Sequence, residues 1–120
     1  MEIFREFTFD AAHRLNNLPE GHKCANLHGH TYRVVVYVDG PLDPKIGWVI
    51  DFAEIKRAAA DVLGQLDHAM LNDVPGLEQP TAEMIAIWIW DRLKPQLAGL
   101  SRIQVWENPT NGCEYRGERE

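Results

Sequence analysis

The sequence predicts an α+β fold, a four-stranded antiparallel sheet with two helices on one face. Three observations predict it. Apolar residues alternate at period two over 3–13 and 28–38, as in strands. They recur at helical spacing after Asp51 and again after Thr81. Two short extended stretches end the chain, on either side of the turn signal Asn111-Gly112. The order is two strands, two helices, two strands. Helices with a single apolar stripe belong on one face of such a sheet.

In the first strand Ile3, Phe7, Phe9, Ala11 and His13 share a face. Residues 16–26 read as a loop, marked by Asn16-Asn17, Pro19 and Gly21. The second strand carries His28, His30, Tyr32, Val34, Val36 and Val38 on one side, and Val35 and Tyr37 on the other. Apolar on both sides, it predicts burial of both faces. With open sheet edges, that predicts assembly of several copies. Trp48-Val49-Ile50 is a short extended piece. Asp51 caps the first helix, with Glu54 completing a capping-box pattern. Phe52, Ile55, Ala59, Val62, Leu63 and Leu66 form its stripe, and it ends near 64–66. Residues 67–80 are irregular. Thr81 caps the second helix, whose apolar face is Met84, Ile85, Trp88, Ile89 and Leu93, and Pro95 and Gly99 close it. The third strand covers 102–107 and the fourth 113–116.

The 120 residues make one domain, 1–120. With 45% hydrophobic and 25% charged residues, the chain has a globular composition, which argues against disorder. The longest apolar run, 84–90, falls well short of the roughly 20 residues needed to cross a bilayer, so no membrane partner is expected. Residues 1–6 carry charges where a signal peptide needs an apolar stretch. A net charge of -6 argues against nucleic-acid binding, which relies on phosphate neutralisation. It leaves room for a small anionic substrate in a local basic pocket. Cys24 and Cys113 form at most one disulfide, and free thiols in a reducing, cytoplasmic setting are predicted.

His28 and His30 stand two apart on a strand, so both imidazoles leave one face. His13 ends the neighbouring strand and can face them. Three imidazoles suit Zn²⁺ with an open fourth position, the catalytic arrangement. The alternative is three histidines hydrogen-bonded in a turn. Cys24 lies in the loop before His28. Its thiolate is a candidate base or nucleophile, with His22 and Lys23 adding positive potential. The alternatives are a small buried residue or a fourth zinc ligand. Asp67-His68 pairs a carboxylate with an imidazole that it can orient, or is simply a helix-end pair. Glu107 ends an apolar strand. It can accept two hydrogen bonds from a 2-amino-4-oxo heterocycle, or it pairs at the rim with Arg102 or Arg116.

Taken together, these residues resemble the 6-pyruvoyl-tetrahydropterin synthase family. The match runs through Phe9-x-Ala11-Ala12-His13, Cys24 and Leu27-His28-Gly29-His30. It continues through Gly47-Trp48-Val49-Ile50-Asp51-Phe52, Leu66-Asp67-His68, Leu71-Asn72 and Pro80-Thr81-Ala82-Glu83. It ends with Trp88-Ile89-Trp90, Glu107 and Gly112-Cys113-Glu114-Tyr115-Arg116-Gly117-Glu118. It covers essentially the whole chain. Gly21-His22-Lys23-Cys24 and Pro75-Gly76-Leu77-Glu78 resemble the bacterial, carboxy-forming branch of queuosine biosynthesis. Cys24 weighs against the folate-type branch, which lacks it.

The resemblance implies a tunnelling fold, in which three sheets join into a barrel and two trimers stack into a homohexamer with active sites between subunits. It implies one zinc per subunit on His13, His28 and His30. Cys24 would be the proton acceptor, Asp67 and His68 the relay pair, and Glu107 the pterin anchor. Thr81 would lie in the segment that approaches the pterin. Ala82 departs from the Thr or Ser often found there. The implied substrate is 7,8-dihydroneopterin triphosphate, whose phosphates need cations, with Lys23 and Arg14 as the local candidates. The implied products are 6-carboxy-tetrahydropterin, acetaldehyde and triphosphate, or a pyruvoyl product in the sister branch. A non-catalytic zinc- and pterin-binding protein is the reading from a different class.

Overall fold

The period-two alternation of the first forty residues becomes one long ladder in the computed structural model, which describes residues 1–118. The elements run β1 (Glu2–His13), β2 (His28–Asp39), α1 (Phe52–Leu63), β3 (Ala69–Met70), α2 (Ala82–Leu93), β4 (Leu100–Trp106) and β5 (Gly112–Tyr115). β1 and β2 pair antiparallel from Glu2↔Asp39 to His13↔His28. β4 pairs antiparallel with β2, and β5 with β4. These include the expected neighbours β1–β2 and β4–β5, while the pairing of β2 with β4 is added by the structure.

The sheet itself differs from the expectation. β3 lies parallel to β1, pairing Ala11↔Ala69 and Ala12↔Met70. Among the described residues the sheet is therefore five-stranded and mixed, in the order β3-β1-β2-β4-β5. A two-residue strand has no periodicity, so it is invisible in a sequence pattern. It forms because the His68 amide donates to the Asp10 carbonyl at 2.6 Å, which lays the next two residues along the edge of β1. The third strand also stops one residue early: Glu107 lies just past β4, its amide bonded to the Asn111 carbonyl.

The helices cover the face that carries Phe9, Tyr32, Val34, Val36, Val38, Ile103 and Val105, all buried. Asp51 caps α1 by accepting from the Ala53 amide at 2.9 Å, and Thr81 caps α2 by accepting from the Met84 amide at 3.2 Å. Ile55, Ala59, Val62, Ile85, Ile89 and Leu93 meet the sheet, each 1% exposed or less. Phe52 and Met84, predicted in these stripes, are instead 50% and 41% exposed. Both belong to a first turn, and the buried face takes up Ala58 and Ala86 instead.

The other face of the sheet is buried at Val35, as the pattern of β2 predicts, and among the described residues the cover comes from the sheet itself. Val35 is 2% exposed with no second layer over it. Its cross-strand neighbours are Glu6 and Gln104. Around them Arg102 bridges Glu2 and Glu114 and lies 3.9 Å over the Tyr37 ring, while Arg33 pairs with Glu6 and lies over Trp106. Long charged side chains bury apolar stems and rings while keeping their heads in water. The apolar odd face of β2 is thus covered within the chain and does not by itself require another copy.

Candidate active site

The β1–β2 register brings the histidines together. His13 is the direct partner of His28, and Ala11 of His30, so three imidazoles meet where the ladder ends. Their ring centroids lie 4.6, 4.9 and 5.1 Å apart, and one ring nitrogen from each falls within 4.8 Å of the others. His13 is fully buried, and its Nδ1–H donates to the Pro80 carbonyl at 2.8 Å, with the Tyr32 hydroxyl at 3.2 Å. His28 Nδ1–H donates to the Asn26 carbonyl at 2.7 Å. A carbonyl only accepts, so both Nδ1 atoms carry the proton and both Nε2 atoms carry a lone pair.

Those two Nε2 atoms face each other at 3.1 Å. Two lone pairs at that distance repel unless a cation lies beside them. Burial, the largest cause, holds the His13 and His30 imidazoles below their ordinary pKa, which favours the neutral, metal-ligating form. His30 Nε2 is buried with no hydrogen-bond partner among the described residues. Buried polar atoms are normally satisfied, so this orphan is itself a sign of a missing ligand. The donor set fits zinc: three neutral nitrogens, two of them oriented by carbonyl oxygens.

Glu107 Oε1 lies 3.6 Å from both His13 Nε2 and His30 Nε2. The rim pairing weighed for it does not occur, because Arg102 takes Glu2 and Glu114, and Arg116 takes Glu114. Cys24 sits in a short 3₁₀ turn, Lys23–Ala25, capped by His22. His22 Nδ1 accepts from the Cys24 amide at 3.1 Å, which ties the two side by side in the turn. Cys24 stands outside the metal-ligating trio and is free, as is Cys113. It lines a cavity of about 460 Å³ with Lys23, His28, His30, Glu107, Asn108 and Asn111.

Asp67 and His68 form their pair, with Oδ2 and Nε2 at 3.7 Å, both solvent-exposed. His68 adopts a left-handed backbone at φ 59°, unusual for a residue with a side chain. The Asp10 amide donates to Asp67 Oδ1, and the Asp10 carbonyl accepts from the His68 amide, so one residue of β1 grips both. His68 lines a second cavity of about 480 Å³, which it shares with His30, Thr31 and Asp10. Within one chain, then, the thiol and the relay imidazole stand on different sides of His30. The Thr81 hydroxyl is engaged in capping α2, and this segment reaches the site through the Pro80 carbonyl. Pro80, Asn26 and Tyr32 went unread in the sequence. A carbonyl that orients a ligand leaves no mark on residue type.

A family model described as "6-pyruvoyl tetrahydropterin synthase" matches residues 2–118. A Synechocystis protein named 6-carboxy-5,6,7,8-tetrahydropterin synthase is 42% identical, over 98% of this chain and 94% of its own length. The human 6-pyruvoyl tetrahydrobiopterin synthase is 37% identical, over 98% of this chain and 92% of its own. Among solved structures, 6-pyruvoyl tetrahydropterin synthase from Caenorhabditis elegans superposes with a TM-score of 0.90 at 32% identity, covering 98% of this chain and 96% of that one. With residues matched from end to end and a backbone that superposes over 98% of its length, the chain belongs to the 6-pyruvoyl tetrahydropterin synthase family.

Proposed function

We propose that this chain is a zinc-dependent lyase of queuosine biosynthesis that converts 7,8-dihydroneopterin triphosphate to 6-carboxy-5,6,7,8-tetrahydropterin, acetaldehyde and triphosphate. The observation that carries the reading is the facing pair of Nε2 atoms on His13 and His28, 3.1 Å apart, beside the orphaned Nε2 of His30, at the wall of a cavity that Cys24 and Glu107 also line. The name of the Synechocystis relative points to the same product.

His13, His28 and His30 would hold one zinc ion per chain, which supplies Lewis acidity toward the hydroxyl oxygens of the substrate side chain. The Cys24 thiolate takes the proton from the side-chain carbon. His68, oriented by Asp67, carries protons to and from the side-chain oxygens. Glu107 accepts hydrogen bonds from the amino and ring N–H edge of the pterin and fixes its orientation. Lys23, beside Cys24 in the cavity, and Arg14 meet the triphosphate. Thr81 and Pro80 frame the pterin end from the cap of α2. The whole chain acts as one domain in the cytoplasm, where both thiols stay reduced.

Cys24 and His68 line separate cavities, so one chain does not close the acid–base circuit. That supports a homohexamer of two stacked trimers, their sheets joined into a barrel, with each site completed by a second copy. The test is mass spectrometry of products from zinc-loaded protein and 7,8-dihydroneopterin triphosphate. Carboxy-tetrahydropterin with acetaldehyde is expected. A pyruvoyl product would assign the sister reaction named for the human relative. No turnover with zinc bound and Cys24 reduced would refute both and leave a pterin-binding protein.

A further inference from the structure

Beyond the last pair of the β1–β2 ladder, the chain runs on through residues 14–16 without a neighbouring strand. Two amide side chains replace it. The Arg14 amide donates to Asn72 Oδ1 at 3.0 Å, and Asn72 Nδ2 returns a bond to the Arg14 carbonyl at 2.8 Å. Two residues on, the Asn16 amide donates to Gln79 Oε1 at 2.8 Å, and Gln79 Nε2 donates to the Asn16 carbonyl at 2.8 Å. Each carboxamide offers one acceptor and one donor, the complement of one residue's backbone. Between these two clamps, the Leu15 amide points the other way and donates to the Cys24 carbonyl at 2.9 Å.

We infer that Asn72 and Gln79 are positioning residues for Cys24, which they place through the backbone of residues 14–16. Their own anchors are rigid. Asn72 follows Leu71, which is fully buried, and Gln79 precedes Pro80 and the Thr81 cap of α2. The loop at 16–22 has no strand pairing of its own, so Leu15 is the tether that fixes the thiol relative to His28 and Glu107. A group that moves a proton must be held within a fraction of an ångström of its working place, and supporting hydrogen bonds of this kind do that. The inference rests on the catalytic role proposed for Cys24.

The test uses the zinc-loaded full chain with Asn72→Asp and Gln79→Glu. Each swap keeps the volume and the acceptor but turns the donor into an oxygen facing a carbonyl. Gln79→Met, which removes both bonds without adding charge, guards against misfolding. Three quantities are measured: zinc per chain, kcat and KM for 7,8-dihydroneopterin triphosphate, and the rate at which iodoacetamide alkylates Cys24, read by peptide mass. The expected result is unchanged zinc and KM, kcat lower by about tenfold or more, and faster alkylation as the tether loosens. Wild-type kcat with wild-type alkylation overturns the inference. So does a loss of kcat that tracks a loss of zinc, since that would place the effect at His13 through Pro80. If the wild-type protein makes no pterin product, the functional reading falls, and the alkylation rate alone still decides whether these amides place Cys24.

Discussion

Acidifying the metal-free protein should destabilise it in a pH window set by the histidine trio itself. The His13 side chain is fully buried and that of His30 is 21% exposed. Burial lowers both pKa values below 6.5, the neighbouring imidazoles add to it, and Glu107 opposes it in part. An unfolded chain titrates near 6.5 and so takes up protons while the folded one does not. Stability then rises with pH through the window between the depressed folded values and 6.5, and falls as pH drops through it. Each proton bound only by the unfolded chain is worth about 1.4 kcal/mol per pH unit. That figure is the ceiling for each histidine, approached only where the unfolded imidazole is protonated and the folded one is not, and the partly exposed His30 contributes less than His13. With a urea dependence of about 1–2 kcal/mol per molar, the midpoint should fall steadily as pH drops below 6.5, by no more than about 1 M per pH unit for each histidine. Glu2, bonded by Ser101 and Arg102, and Glu114, bonded by Gln104 and Arg102, are held below the ordinary carboxylate range and titrate beneath this window. The assay is urea unfolding of chelator-treated protein at several pH values, repeated with saturating zinc. The zinc series should be steeper, because protons also displace the metal. A midpoint that holds or rises on acidification would refute the reasoning. It would mean that a proton bridges His13 Nε2 and His28 Nε2, and that the site prefers an imidazolium pair to a metal.

Four further outcomes follow from the same geometry. Cys24→Ala should lower turnover by about 10²–10⁴-fold while zinc content and unfolding midpoint stay at wild-type values, measured on one preparation. In the unmodified protein a thiol reagent near pH 8 should label Cys24 ahead of Cys113, whose thiol is pushed up to about 11 chiefly by burial; peptide mapping checks the order. His28→Ala should cut zinc per chain, read by metal analysis after dialysis, because it removes one of three ligands and leaves the Asn26 carbonyl unpaired. Gly117→Ala should cost about 1–3 kcal/mol, seen as a lower midpoint. Gly117 sits at φ 81°, and a Cβ there would come within 2.6 Å of the Trp90 ring.

How far the sequence discloses this molecule depends on the distance over which a signal is written. β1, β2 and both helices are legible because their apolar periods repeat several times and a cap residue announces each helix, whereas β4 and β5 are legible from the turn signal Asn111-Gly112 between them. The His13–His28–His30 trio is legible because a hairpin-like pair of strands turns sequence spacing into facing positions. β3 is not legible, since it owes its existence to one bond between the His68 amide and the Asp10 carbonyl. Phe52 and Met84 mislead because a first turn can project past the core while keeping the period. Val35 is buried, as the apolar pattern on both sides of β2 suggests, and the arginines and aromatic rings of β2 and β4 stack around it, an arrangement no periodicity announces. Glu107 was open between two roles until the structure showed that Glu2 and Glu114 already occupy Arg102.

The same contrast separates the parts of the site by stiffness. The imidazoles stand on a ladder of twelve paired residues, so their spacing is set by main-chain hydrogen bonds that no single side chain controls. The groups that would move protons stand off the ladder. Cys24 hangs from Leu15 in a loop that side-chain amides steady, and His68 is held in a strained turn by Asp10. A metal needs ligand nitrogens at fixed distances, which a β-ladder supplies with little tolerance for error. Proton transfer groups need fine placement relative to a substrate, and loops secured by individual side chains allow that placement to change one residue at a time. A fold organised this way can keep its metal centre while its thiol and relay are re-aimed. That accounts physically for relatives of similar length and similar identity whose names specify carboxy and pyruvoyl products. It also locates where the two reactions should diverge: in the supports of Cys24 and His68, with the three histidines unchanged.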